Sequence, residues 1–198
     1  MLDSLSQKFL LPILSRVVAP LARTRIRPGA VTQSGAACGV LSGVLFFAGF
    51  RVVAAALIVL SGLLDLIDGP LARAKGADSP RGGFLDLFCD RLVEVAVVSF
   101  YALTFPDIRM AAVALLGATL LSITIFLSAA AVAANNGPRS IHYLPGLMER
   151  GETIIFFALF YLLPDLRNIW VPLFAALIGL TVVQRFIESW RLLPSCKK

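Results

Sequence analysis

Residues 65–90 read DLIDGPLARAKGADSPRGGFLDLFCD. Four aspartates, Asp65, Asp68, Asp86 and Asp90, stand there with Arg73, Gly69 and Gly82 between runs that read as membrane spans. Charged side chains are costly inside a bilayer, so such a cluster marks a functional site by default. Asp65 and Asp68 are three apart, and Ala72 falls seven after Asp65; Gly82, Asp86 and Asp90 step by four. On α-helices each set lies along one face. Two helices joined by the short polar segment 74–81 bring those faces together, so four carboxylates converge near the membrane surface.

Four carboxylates do not share a small volume without compensating charge, because their repulsion forces protonation or opens the site. Hard oxygen donors at this density suit Mg²⁺ or Mn²⁺, and a pair of ions fits better than one. Paired ions about 3.5–4 Å apart can clamp the attacking and leaving oxygens of a phosphoryl transfer. Gly69 and Gly82 allow close approach to the backbone, and the planar fork of Arg73 suits a phosphate.

Outward from this stretch, composition sets the class. The chain has 198 residues, 58% of them hydrophobic and only 15% charged, which is the balance of a polytopic membrane protein. We expect an all-α integral membrane protein: six transmembrane helices preceded by an amphipathic interfacial helix, forming one domain over 1–198. Within it, 1–27 is the interfacial helix with a basic linker, and 31–193 is the six-helix bundle. Residues 2–21 carry apolar side chains at helical spacing, but Lys8, Pro12 and Arg16 interrupt them, so this segment is read as lying on the membrane surface. Arg23, Arg25 and Arg27 follow, then the break at Pro28-Gly29. The spans are placed at about 31–50, 52–74, 82–105, 110–134, 146–163 and 169–193, each near the ~20 residues a bilayer requires.

With six spans, both termini, the 74–81 segment and the 135–145 loop share one side. All but three of the 18 Lys and Arg residues fall on that side or its adjoining helix ends; the exceptions are Arg51, Arg109 and Arg167. The motif therefore faces the cytoplasm. The net charge of +6 is spread around hydrophobic runs instead of forming a patch, so it is no sign of nucleic-acid binding. Cys38, Cys89 and Cys196 lack metal-ligand spacing.

The motif matches D-x2-D-G-x2-A-R-x8-G-x3-D-x3-D without a gap, at Asp65, Asp68, Gly69, Ala72, Arg73, Gly82, Asp86 and Asp90. This is the signature of the CDP-alcohol phosphotransferase family, which the chain resembles over nearly its whole length. A chance match at a given start is on the order of one in a billion. The resemblance implies an enzyme of phospholipid synthesis that moves a phosphatidyl group from CDP-diacylglycerol to the hydroxyl of an alcohol acceptor, with release of CMP. It implies that Asp65, Asp68, Asp86 and Asp90 hold two divalent cations, Mg²⁺ or Mn²⁺, and that Asp90 takes the acceptor proton. Asp65, Gly69, Ala72, Arg73 and Gly82 resemble the nucleotide contacts. Pro28 to Thr32 resembles a further family element, with Gly29 in place of its asparagine and Thr32 at the nucleotide. Arg150 and Arg185 resemble acceptor-pocket arginines, which points to glycerol 3-phosphate or an inositol phosphate. Residues 128–134, SAAAVAA, lack the basic side chains that enzymes for phosphorylated acceptors place there, which favours a different, non-phosphorylated alcohol as the alternative. A homodimer, embedded in membrane lipid with its active site at the cytoplasmic face of a bacterial inner membrane, is implied too. From a different class, a non-enzymatic divalent-cation transporter also places acids in membrane helices. The position of these acids at helix ends, with an arginine among them, favours a phosphate site.

Glu94 is one turn beyond Asp90 and reads as a hydrogen-bonded helix-packing partner. Arg73, Arg81 and Arg91 are the cations that an ion-paired network in place of a metal site would use. Phe46, Phe47, Phe156 and Phe157 read as core or lipid-facing bulk, and His142 as a surface residue.

Overall fold

The computed structural model describes residues 16–135 and 150–192. The expectations for residues 1–15, for the loop at 136–145 with His142 and for the start of the fifth span lie outside them. Every regular element among the described residues is helical. Six long helices follow one another: α1 Pro28–Phe47, α2 Arg51–Ala74, α3 Pro80–Thr104, α4 Arg109–Asn135, α5 Arg150–Leu162 and α6 Arg167–Leu192. Their limits lie close to the spans expected from hydropathy. Among the described residues, four helical stretches are long and apolar enough to cross a membrane: Pro28–Phe47, Arg51–Ala74, Pro106–Val132 and Pro164–Arg191. The 25-residue α3 is long enough but carries Asp86, Asp90, Arg91 and Glu94. For α5, 13 residues are described.

The segment between α2 and α3 sets the geometry of the motif, and its residues account for its path. The backbone of Gly76 is left-handed, with φ of 61°. Its N–H donates to the Arg73 carbonyl at 3.1 Å and the Ala77 N–H to the Ala72 carbonyl at 2.9 Å, so α2 ends in a Schellman turn. Three residues later Ser79 caps α3: its hydroxyl accepts from the Gly82 N–H at 3.2 Å, and Pro80 takes the first helical position, where its missing N–H costs nothing. A stop and a start within so few residues let α2 and α3 both pack against α1, so that their acid-bearing faces meet.

Helix α1 packs against both α2 and α3, α4 against α6, and α2 against α5. The first contact depends on absent side chains. A Cβ on Gly39 would lie 2.6 Å from both Val93 methyls and 2.9 Å from Ser61 Oγ, so only glycine lets α1 sit this close to its neighbours. At the end of the bundle away from the motif, Phe46 stacks on Tyr161 with ring centroids 4.6 Å apart, and Tyr101 on Phe160 at 5.1 Å. Phe157 and Phe174 are buried beside them, while Phe47 is exposed. Two short 3-10 turns of similar sequence, Pro106–Ile108 and Pro164–Leu166, open α4 and α6 at this end. Arg167 ties them together: its Nε donates to Asp107 at 2.8 Å while its guanidinium lies 4.5 Å over the Phe105 ring.

Residues 16–22 are helical, and Val18 is buried in a small cluster with Val31 and Leu71. Lys75 donates to the carbonyls of Thr24 and Ile26, at 2.8 and 2.6 Å, which holds the basic linker against the end of α2.

Candidate active site

The two motif faces meet as the spacing requires. Asp65 and Asp68 come from the last turns of α2, and Asp86 from the second turn of α3. One oxygen from each lies within 4.8 Å of the others. Asp68 is buried, 7% exposed, and its Oδ2 accepts a 2.6 Å hydrogen bond from the hydroxyl of Thr32 on α1. The Thr32 hydrogen is therefore spent on a carboxylate. The fourth acid, Asp90, joins through a cation: the Arg150 guanidinium, from the first turn of α5, pairs with Asp90 through one nitrogen and with Asp65 through another. Among the described residues neither Arg73 nor Arg81 pairs with these acids, and Arg91 pairs with Glu94 one turn away. The cations weighed as partners for a purely structural network are thus not the ones used.

A single guanidinium does not balance four carboxylates. Asp86 Oδ1 is buried and has no hydrogen-bond partner. Closely spaced anionic oxygens with one unsatisfied, and no thiolate or imidazole among them, fit a hard divalent cation such as Mg²⁺ or Mn²⁺. The residues present therefore suit the ions that the resemblance implies.

Two cavities open on the acids, and Asp86 lines both. The first, about 420 Å³, is lined by Gly29, Thr32, Asp68, Gly69, Ala72, Arg73, Gly82 and Asp86, together with residues of the 74–81 turn. It gathers every residue expected at the nucleotide except Asp65, which instead borders an apolar groove of about 140 Å³ between α2 and α5. Gly69 and Gly82 leave its wall open to a bulky ligand.

The second cavity, about 290 Å³, is lined by Asp86, Asp90, Arg91, Glu94, Arg150 and Arg185 and by hydroxyls from α4, α5 and α6. Arg150 and Arg185, from different helices, thus reach one space. Arg185 donates to Ser122 Oγ at 3.0 Å and lies 5.9 Å from the centre of the Phe126 ring. The sequence reading missed Thr119, Ser122, Thr153 and Thr181, which also line this cavity. Their signal is faint: small hydroxyl residues three or four positions from each other, from Arg150 or from Arg185, inside otherwise apolar helices. The apolar run 128–134 in α4 argued against a phosphorylated acceptor. That helix serves the cavity from Thr119 to Phe126, upstream of the apolar run 128–134, and with hydroxyls in place of cations.

Comparison with known proteins finds relatives along nearly the whole chain. The family model described as CDP-alcohol phosphatidyltransferase matches residues 25–186. The Escherichia coli inner membrane protein YnjF is 33% identical, with all of both chains covered. The archaetidylinositol phosphate synthase of Pyrococcus horikoshii is 31% identical over 89% of this chain and 90% of its own. Among solved structures, the Mycobacterium tuberculosis phosphatidylinositol phosphate synthase in complex with manganese and citrate superposes with a TM-score of 0.71. It shares 23% identity, over 89% of this chain and 88% of that one, which establishes likeness of fold.

Proposed function

The chain belongs to the CDP-alcohol phosphatidyltransferase family, and from that premise we propose that it transfers a phosphatidyl group from CDP-diacylglycerol to a phosphorylated polyol, releasing CMP. Membership makes it an enzyme, and the cation-transporter reading of the acids falls away. The observation that carries the proposal is the position of Asp86. It is a wall of both cavities, so a nucleotide-sized space and an arginine-lined space meet at the acids.

In this reading CDP lies against Gly69, Ala72 and Gly82, with Arg73 on a phosphate. An acyl chain lies in the apolar groove formed by Val59, Leu63, Leu66 and Ile154. The acceptor enters the second cavity, its phosphate toward Arg150 and Arg185. Asp65, Asp68, Asp86 and Asp90 hold two Mg²⁺ or Mn²⁺ ions, with Thr32 fixing the rotamer of Asp68. When bound, such ions neutralise the pyrophosphate and favour loss of a proton from the acceptor hydroxyl. Asp90, on the acceptor side of the acids, receives that proton as the acceptor oxygen bonds to the phosphorus bearing the diacylglycerol. The bond from that phosphorus to the CMP oxygen breaks, and CMP leaves with the electron pair.

An inositol phosphate is the proposed acceptor. Two synthases of inositol phosphate lipids among the similar proteins support it, as do the arginines and hydroxyls of the second cavity. We place all six helices across the membrane as one domain, with the acids at the cytoplasmic end, on the distribution of Lys and Arg. The proposal includes a homodimer, which rests on family resemblance.

The test is CMP release from CDP-diacylglycerol by membranes containing the protein, supplied with Mn²⁺ and, in turn, inositol 1-phosphate, glycerol 3-phosphate and inositol. Release should require a phosphorylated acceptor, and Asp90→Asn should abolish it without lowering the unfolding temperature. Full turnover in that variant would remove Asp90 as the base, and release only with inositol would overturn the acceptor class.

A further inference from the structure

Glu94 is a side chain that the proposed reaction does not use. It follows Asp90 by four residues on α3 and so shares its face of the helix. It lines the second cavity with Arg91, Arg150 and Arg185. With Thr119 and Thr153 it also borders a void of about 10 Å³ whose other walls are apolar, among them Leu115, Phe157 and Phe174. Glu94 therefore stands where the polar cavity meets the apolar core, one helical turn from the proposed base. Its side chain is 16% exposed and pairs with Arg91.

A carboxylate there works against a pocket meant only for phosphate, because it repels the anion that the arginines attract. The phosphate of an acceptor must therefore lie toward Arg150 and Arg185. The part of a ligand that faces Glu94 must not be anionic and must donate hydrogen bonds, since an ionised carboxylate only accepts them. Two oxygens on one carbon match two adjacent hydroxyls on a ring. Glycerol 3-phosphate has one hydroxyl to spare once the attacking one is at Asp90; a cyclic polyol phosphate has several.

We propose that Glu94 is a specificity-determining residue of the acceptor cavity: with Thr119 beside it, it binds neighbouring hydroxyls of a cyclic polyol phosphate and selects that acceptor over a glycerol phosphate. The inference rests on the proposed acceptor reading and adds to it a residue and a reason. The experiment measures CMP release by the full-length protein in membranes, at saturating CDP-diacylglycerol and Mn²⁺, with inositol 1-phosphate and glycerol 3-phosphate compared. Glu94→Gln keeps the shape and removes the charge. It should lower the ratio of the two kcat/KM values by about tenfold, the scale of one charged hydrogen bond, through a raised KM for inositol 1-phosphate. Glu94→Asp should recover part of the loss. Thr119→Val, which leaves the carboxylate intact, should move the ratio the same way. A purely structural pairing of Glu94 with Arg91 would lower both values together; that parallel fall, or an unchanged ratio, overturns this inference and leaves the phosphatidyl transfer standing. No release with any acceptor from the unmodified protein overturns the proposed function and this inference with it.

Discussion

Replacing Thr32 by valine tests how the acids are held. The Thr32 hydroxyl donates to Asp68 Oδ2 at 2.6 Å, and the two residues are only 8% and 7% exposed. Valine has the same shape, so no cavity opens and α1 keeps its packing; what is lost is one donor to a buried carboxylate. A hydrogen bond to a charged group contributes about 1.5–3 kcal/mol. At about 1.4 kcal/mol per factor of ten, the loss is roughly ten- to 150-fold in the affinity of the site that Asp68 helps to form. Removal of a side chain that orients a metal ligand generally costs about 10–100-fold, which is the same range by an independent route. The assay is a Mn²⁺ titration of CMP release, paired with direct Mn²⁺ binding by electron paramagnetic resonance. The Thr32→Val midpoint should move to at least tenfold higher Mn²⁺ in both, while Thr32→Ser, which keeps the hydroxyl, stays near the parent. A valine variant whose midpoint shifts by less than about twofold would refute the claim that Thr32 positions Asp68.

The glycine contact between helices makes a second prediction. Gly39→Ala forces a Cβ to within 2.6 Å of the Val93 methyls and should destabilise the protein by about 1–3 kcal/mol in detergent unfolding, whereas Gly117→Ala, with nothing within 4 Å, should not. Equal stability of the two variants would mean that α1 does not pack as closely on α3 as described. At the other end of the bundle, Arg167→Ala removes an exposed ion pair and a contact over the Phe105 ring. It should lower the unfolding midpoint slightly and leave CMP release intact; lost turnover would tie the turns at that end to the chemistry.

Much of the site was legible in the chain because its logic is local. The three- and four-residue steps of the aspartates place them on helix faces whatever surrounds them. Gly76, Ser79 and Pro80 encode a stop and a start that almost any tertiary setting would respect. The span limits follow from runs of apolar residues broken by proline and charge. The hydroxyls of Thr119, Ser122, Thr153 and Thr181 were not legible, because a threonine in an apolar helix looks alike whether it faces lipid, core or cavity. The role of Thr32 was half legible: its place beside the nucleotide-side cavity was expected, its commitment to Asp68 was not.

By itself, then, the sequence determined the helices, the faces that carry acids and the turn that joins α2 to α3, because each depends on neighbours within a few residues. Only the tertiary structure decided that Arg150 would bridge Asp65 and Asp90, that Thr32 would meet Asp68 across 36 residues, and that Arg185 would meet Ser122 across 63. Those pairings depend on the rotation and depth at which separate helices pack, and that is set by the fit of whole surfaces, of which no short run of residues holds more than one side.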